Sequence, residues 1–353
     1  MASPIGLARW RALAQPRLLL WLLAPWVLWW ALRDIPLADI GATLRQMGAE
    51  QMLILLSINA VVILLLSGRW WAILRALRRS VSYLTLSGYR LAGFAVSYFT
   101  PGTQFGGEPL LIDLLRRRHA IPSSTAAASV ALDKALELLG NFTFLAFGVS
   151  IALRLRFFAA RSGVVLSYLS FALLALPIIF LGLAWMNQRP VTGLLAKVPQ
   201  GLALRVPQFA RFQRFIAATE EQVSEFCRRK PLGVAAAALF SLASWAGLLG
   251  EYWLMARFLG MPLTLEQTVG LVTAGRLALL VPLPGGLGAF EASQILAAQS
   301  LGYSAAEGAG LGLLIRARDL VFGLLGLWLG VALGGKGERP TSEVADGDFR
   351  SRS

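Results

Sequence analysis

Cysteine and histidine are almost absent from the sequence. Cys227 and His119 are the single examples in 353 residues. One cysteine excludes an internal disulfide and a cysteine-based zinc site, and one histidine excludes a metal site with two histidine ligands. We therefore expect no metal ion and no other cofactor.

Charged residues are also scarce. Asp, Glu, Lys and Arg make up 15% of the chain and hydrophobic residues 56%, whereas about a quarter of a soluble domain is charged. Apolar runs fill nearly the whole chain and leave no segment that could form a separate soluble core. The composition excludes a soluble protein. It indicates a single transmembrane domain, residues 1–335, and a short polar cytoplasmic tail, 336–353, that we expect to be disordered.

The apolar runs predict an all-α polytopic membrane protein. Two stretches, 81–115 and 266–301, are apolar but interrupted by Pro and Gly, which predicts re-entrant helical hairpins with a bent tip. Six other runs are long enough for a helix that crosses about 30 Å of hydrocarbon. These runs are 18–33, 51–68, 124–153, 163–186, 232–259 and 307–334.

The basic residues predict the orientation. With a cytoplasmic N-terminus, 22 of the 33 Lys and Arg residues, Arg69 among them, fall in inside segments and six in outside segments. This bias follows the positive-inside rule. The net charge of +14 is then a topological signal, and we expect no nucleic acid partner. Both termini are predicted to be cytoplasmic, and each hairpin is predicted to return to the side from which it enters.

An internal repeat is the most informative pattern. Ordered matches recur at offsets of 182 to 186 residues. The matched residues are Gly68-Arg69 and Gly250-Glu251, Arg90 and Arg276, Pro101-Gly102 and Pro284-Gly285, Glu108 and Glu291, and Asp133 and Asp319. The two copies cover about 18–153 and about 163–334, and the predicted topology inverts the second. Inverted repeats with broken helices are typical of alternating-access transporters.

Charged residues within apolar segments are the candidate functional residues, because an unpaired charge in lipid costs a few kcal/mol. Ion pairs that merely hold the hairpins together are one interpretation, and a substrate site is the other. We predict that Arg90 and Arg276 attract an anionic headgroup and that the carboxylates gate the site or relay protons. The charged candidates are Arg90, Glu108, Asp133 and Lys134 in the first repeat and Arg276, Glu291, Arg318 and Asp319 in the second.

The hairpin tips are rich in proline and glycine. A helix that begins at such a tip has free backbone N–H groups, which favour a phosphate or carboxylate. A nucleotide loop is excluded here, because no strand precedes the second tip and no Gly-Lys-Ser or Gly-Lys-Thr follows it. The tip residues predicted to bind substrate are Pro101, Gly102, Gly106, Gly107, Pro284, Gly285 and Gly286.

At these residues the chain resembles the transmembrane-region family of lysylphosphatidylglycerol synthases, the flippase-like proteins. The resemblance spans roughly residues 10–335. It rests on Pro101-Gly102-x-x-x-Gly106-Gly107-Glu108-Pro109, Val130-x-x-Asp133-Lys134, Pro284-Gly285-Gly286-Leu287-Gly288-x-x-Glu291 and Arg318-Asp319. It implies a multi-pass inner-membrane protein that moves lipids or lipid-linked groups between leaflets.

We predict a lipid translocase with no nucleotide site of its own, acting on a membrane lipid or lipid-linked substrate. One alternative is a membrane-embedded transferase acting on a lipid-linked donor, with Asp133 or Glu108 as base. Another is a scaffold for a lipid-modifying enzyme. Fusion members of the family carry a soluble aminoacyl-transferase domain that this chain lacks before Ser353, so we expect no aminoacylation by this chain alone. The sequence leaves open whether a lipid-modifying enzyme binds this protein and whether the protein forms an oligomer.

Overall fold

The computed structural model describes residues 47–99, 106–157, 160–197, 209–281, 283 and 286–334, together with 42 and 45. All regular structure in this part of the chain is helical, as predicted. The eleven helices are α1 (Ala49–Ala76), α2 (Tyr83–Phe99), α3 (Glu108–His119), α4 (Ser123–Arg154), α5 (Ala160–Trp185), α6 (Pro190–Ala196), α7 (Phe209–Arg229), α8 (Pro231–Phe258), α9 (Leu265–Ala278), α10 (Ala289–Ser300) and α11 (Ala305–Gly334). The predicted first crossing, 18–33, and the tail, 336–353, lie outside the described residues.

Four of these helices, α1, α4, α5 and α8, are long and apolar enough to cross a membrane. They correspond to four of the six predicted crossings. The predicted crossing 307–334 is also a single helix, α11, of 30 residues. Its first half carries four charged residues, Glu307, Arg316, Arg318 and Asp319, whereas 320–334 is uncharged. The helix therefore brings charge into an otherwise apolar bundle.

Each predicted hairpin consists of two helices separated by a break. Helices α2 and α3 form the first hairpin, α9 and α10 form the second, and the two arms of each contact one another. In the second break Gly286 and Gly288 have φ values of 65° and 79°, a left-handed conformation that glycine adopts without steric cost. The broken arms are present, and the re-entrant path stays a prediction.

Three long contacts join the first half of the bundle to the second. Helix α1 packs along α8, α2 along α11, and α4 along α9. A Cβ added to Gly326 of α11 would lie 2.1 Å from the carbonyl oxygen of Leu91, and one added to Gly148 of α4 would lie 2.1 Å from Thr273 Oγ1. Small residues at such positions let helix backbones approach closely, and the two halves therefore interlock.

Each half also has an apolar core of its own. The first core lies among α1, α2, α3 and α4, and the second among α8, α9, α10 and α11. Their buried residues include Trp70, Leu86, Leu115 and Val130 in the first and Met255, Leu271, Ala298 and Leu311 in the second. The charged residues of the cavity lie between these two apolar cores.

Helix α5 lies on the outside of the bundle, where it packs on α4. It has no charged residue from Ser162 to Trp185, and Val165, Tyr168 and Phe171 are all exposed. A continuous exposed apolar surface is unfavourable in water but suits the hydrocarbon core of a bilayer. This surface supports a membrane location.

Cysteine labelling tests the re-entrant path. In a Cys227→Ser background, cysteines at Ser80 and Arg116, which flank the first hairpin, should both react with a membrane-impermeant maleimide from the cytoplasmic side. A cysteine at Glu266, where the second hairpin begins, should react from the opposite side. All three positions are exposed. Labelling of Ser80→Cys and Arg116→Cys from opposite sides would contradict the predicted topology.

Candidate functional site

A cavity of about 370 Å³ lies between the two halves. Eight helices line it, and ten of the described lining residues are charged. They are Arg69, Arg90, Glu108, Asp133, Lys134, Glu137, Glu251, Arg276, Arg318 and Asp319. Five are cations and five are anions, so their formal charges cancel. Every predicted charged candidate except Glu291 lies on this wall.

Asp133 of α4 is the centre of the first group of charges. Arg69 Nε, on α1, donates to Asp133 Oδ1 at 2.7 Å, and Arg90 Nη2, on α2, donates to Oδ2 at 2.5 Å. The Asp133 side chain is 10% exposed and that of Arg69 only 2%. Because a buried charge is tolerated when it is paired and hydrogen-bonded, Asp133 can hold α1, α2 and α4 together inside the bundle.

Lys134, the next residue of α4, links the broken arm α3 to this group. Its Nζ lies 3.0 Å from Glu137 Oε1 and 3.3 Å from Glu108 Oε1. Arg69 Nη2 also lies 3.6 Å from Glu137 Oε2. Three cations and three carboxylates therefore form one connected network on the first-half side of the cavity.

A second group of charges joins α8 to α11. Arg318 donates hydrogen bonds to Glu251 and to Asp319, the latter at 2.7 Å from Nη2. Asn59 Nδ2, on α1, donates to Glu251 Oε1 at 2.8 Å. Glu251 is 1% exposed, and these two donors compensate its buried charge. Asp319 is more open, with 24% of its side chain exposed.

Glu291 forms an ion pair that lies beside the cavity rather than on its wall. Arg316 Nε, on α11, donates to Glu291 Oε1 at 2.8 Å, and Arg316 Nη1 donates to the hydroxyl of Tyr98 at 3.2 Å. Glu291 is fully buried. This ion pair ties the broken arm α10 to α11, as Glu108 and Lys134 tie α3 to α4.

The backbone N–H groups expected to bind an anion at the hairpin tips are occupied where the structure describes them. Gly106 N donates to Glu108 Oε2 at 2.8 Å and Gly107 N to Ser97 Oγ at 3.0 Å. Gly286 N donates to the Leu283 carbonyl at 2.9 Å. The expectation of free donors is therefore wrong for these three glycines, because nearby acceptors satisfy them. Pro101, Gly102, Pro284 and Gly285 lie outside the described residues.

Arg276 of α9 differs from every other charged residue on the wall. Among the described residues it has no hydrogen-bond or ion-pair partner, and its guanidinium lies 5.1 Å from the centre of the Trp245 ring. The other nine charged lining residues all have a partner of opposite charge. Arg276 is thus the cation that remains available to an added anion.

Sequence reasoning missed two important members of the site. The positive-inside pattern places Arg69 in a cytoplasmic segment, and the repeat marks Glu251 only as its match, yet both are buried within helices, α1 and α8. The apolar run ending at residue 68 suggested that the helix stopped there, whereas α1 continues to Ala76. The available signal was the match between Arg69 and Glu251 itself, which pairs two charges at equivalent positions.

The lone cysteine takes no part in the cavity. Cys227 lies on α7 and is buried, and burial raises the pKa of its thiol to about 11, so the thiol stays protonated at neutral pH. Within the described ranges, no group of three or more His, Cys, Asp and Glu side chains is arranged to hold a metal ion. The charged groups described on the cavity wall are the ion-paired residues and Arg276.

These features define a class of protein: a helical membrane protein whose interior holds a cavity lined by charged residues. Residues 18–326 match the family described as the lysylphosphatidylglycerol synthase TM region, and the chain belongs to this family. No individually curated protein matches the sequence. Membership agrees with the resemblance noted in the sequence and indicates a membrane protein involved in lipid modification or translocation.

The two matched arginines should differ in their effect on stability. Arg90→Gln removes one of the two partners of buried Asp133 and should lower the free energy of unfolding by about 1–3 kcal/mol. Arg276→Gln breaks no pair and should leave thermal unfolding in detergent unchanged or raised. Arg116→Gln, at an exposed ion pair, is the control. Greater destabilisation by Arg276→Gln than by Arg90→Gln would contradict the observed pairing.

Proposed function

We propose that this protein translocates an anionic or lipid-linked headgroup between the leaflets of the cytoplasmic membrane. The observation that carries the proposal is Arg276, a guanidinium on the cavity wall with no anionic partner among the described residues. A charge at membrane depth is costly and usually marks a functional site. A phosphate is a suitable partner, because guanidinium binds it through two parallel hydrogen bonds.

The rest of the wall suits the remainder of a lipid. Apolar residues such as Leu66, Phe94, Leu248 and Phe322 line the cavity together with the charges. A headgroup could therefore bind among the charges while its acyl chains stay against apolar surface. We propose no enzymatic activity, since the two candidate bases are engaged by cations: Asp133 by two arginines and Glu108 by Lys134.

The ion pairs support the inverted repeat that such a mechanism needs. In the first half α1 is paired to α4 through Arg69 and Asp133. In the second half α8 is paired to α11 through Glu251 and Arg318, although the signs are reversed. In both halves a glutamate of the second hairpin arm is paired to a cation of the next helix. Equivalent helices are thus connected in equivalent ways.

One pair breaks this symmetry. Arg90 is bound to Asp133, whereas Asp319, the match of Asp133, is bound to Arg318 and leaves Arg276 unpaired. We infer that the structure is one of two related states. In the other state Arg276 would bind Asp319, and Arg90 would be released to face the headgroup. Exchange of these partners would move the available cation from one half to the other, as alternating access requires.

A lipid transport assay tests the function. In vesicles without ATP, purified protein should move a fluorescent phosphatidylglycerol between leaflets faster than protein-free vesicles do. Arg276→Gln should lower the rate by about tenfold or more, because loss of a charged hydrogen-bond partner costs about 1.5–3 kcal/mol. Arg116→Gln, at an exposed residue outside the cavity lining, should match wild type. Wild-type transport no faster than in protein-free vesicles would refute the translocase.

The proposed exchange of carboxylate partners between Arg90 and Arg276 can be tested separately from lipid transport. In a Cys227→Ser background, a reporter cysteine at Ser97 in the cavity should react with an impermeant maleimide from one side of the membrane. Asp133→Asn, which releases Arg90, should shift labelling toward the other side, and Asp319→Asn should shift it in the reverse direction. Asp113→Asn is the control at an exposed carboxylate. Equal shifts by both cavity variants, or none, would contradict two symmetry-related states.

A further inference from the structure

We infer that Trp245 is a positioning residue that holds the Arg276 guanidinium in the cavity without neutralising it. The inference deepens the proposed function, on which it depends for the ligand. The contact between the Arg276 guanidinium and the Trp245 ring is observed whatever the function. Arg276 comes from α9 and Trp245 from α8, and both line the cavity.

The ring of Trp245 is itself fixed by α4. It stacks on Phe144, with ring centres 4.6 Å apart and an interplanar angle of 16°. One turn earlier on α4, a Cβ added to Gly140 would lie 2.6 Å from Trp245 Nε1. Gly140 therefore leaves the space that the indole fills, and Phe144 supports its face. Three helices cooperate to place one aromatic ring beneath one guanidinium.

An aromatic ring is a different kind of partner from a carboxylate. Arg69, Arg90 and Arg318 are each held by carboxylates, which orient them but cancel their charge. A tryptophan face attracts a cation through its quadrupole and carries no net charge. Arg276 therefore keeps both its charge and its N–H donors for an incoming anion, while its position is restrained.

Two other Arg–Trp contacts are of a different kind, because each lies within a single helix. Arg75 lies 5.0 Å from the Trp71 ring and Arg257 lies 5.3 Å from the Trp253 ring. Both join residues four apart on one helix, a spacing that brings side chains together automatically. Arg276 and Trp245 lie on different helices and meet only because the tertiary structure brings them together. Trp253→Leu therefore serves as a matched control.

The test measures equilibrium binding and transport of fluorescent phosphatidylglycerol by the full chain, with thermal unfolding recorded for each variant. Trp245→Leu should weaken binding about fivefold, the effect of losing one cation–π contact, and Trp245→Phe should restore most of the affinity. Trp245→Glu should abolish binding, because a carboxylate would pair with Arg276. Trp253→Leu should bind as wild type does.

A double-mutant comparison separates positioning from a merely structural role. If Trp245 acts through Arg276, Trp245→Leu added to Arg276→Gln should cause no further loss of binding, since interacting residues are not additive. Gly140→Ala should displace the ring and weaken binding without removing it, and this variant decides the matter if Trp245→Leu does not fold. Unchanged affinity in Trp245→Leu or Gly140→Ala, or additive losses in the double variant, would overturn the inference.

The two proposals fail in different ways. Wild-type protein that binds the probe but does not move it would refute translocation, and the comparison of Trp245 variants by binding would still stand. Wild-type protein that binds no phosphatidylglycerol, measured against zwitterionic phosphatidylcholine, would refute the assignment of Arg276 as an anion site and the role of Trp245 with it.

Discussion

The cost of placing charge inside a membrane determines how this protein is built. Ten charged side chains line one cavity in the described part of the chain, and each would be unfavourable there without compensation. Nine are compensated by ion pairs, and most of these pairs connect different helices. The charges therefore specify which helices meet, while glycines such as Gly326 permit the close contacts. Arg276 is the exception, and the proposed function rests on it.

Much of the fold follows from the sequence because membrane helices are long and apolar. Five predicted crossings coincide with described helices, and both predicted hairpins are broken where Pro and Gly interrupt the apolar run. The predicted positions of the helix ends are less accurate. The α1 helix extends eight residues past its apolar run, to Ala76, because aromatic and paired charged residues continue it after Gly68. Hydropathy alone cannot distinguish a buried arginine with a partner from a cytoplasmic one.

Most charged members of the site were predictable from the sequence, but Arg69, Glu251 and the pairings were not. Charge within apolar segments identified Arg90, Asp133 and Arg276. The sequence matches relate Arg90 to Arg276 and Asp133 to Asp319. That Asp133 binds Arg90 while Arg276 binds no carboxylate depends on tertiary contacts between α2, α4 and α9, which periodicity does not encode. The hydrogen bonds of the glycine N–H groups at the hairpin tips differ from these ion pairs, because an acceptor can lie nearby in the sequence. Glu108, two residues after Gly106, accepts the hydrogen bond of its N–H, a contact within one short stretch of sequence.

The asymmetry between the matched arginines has an energetic consequence for transport. If two symmetry-related states exist, each leaves one guanidinium without a carboxylate, so the states are similar in energy when the cavity is empty. The intermediate between them is different, because Arg90 would have left Asp133 before Arg276 reached Asp319, so that neither arginine has a carboxylate partner. An anionic headgroup bound between the two arginines would compensate their positive charge in that intermediate. On this argument the substrate lowers the barrier to its own movement, and an empty cavity would exchange states slowly.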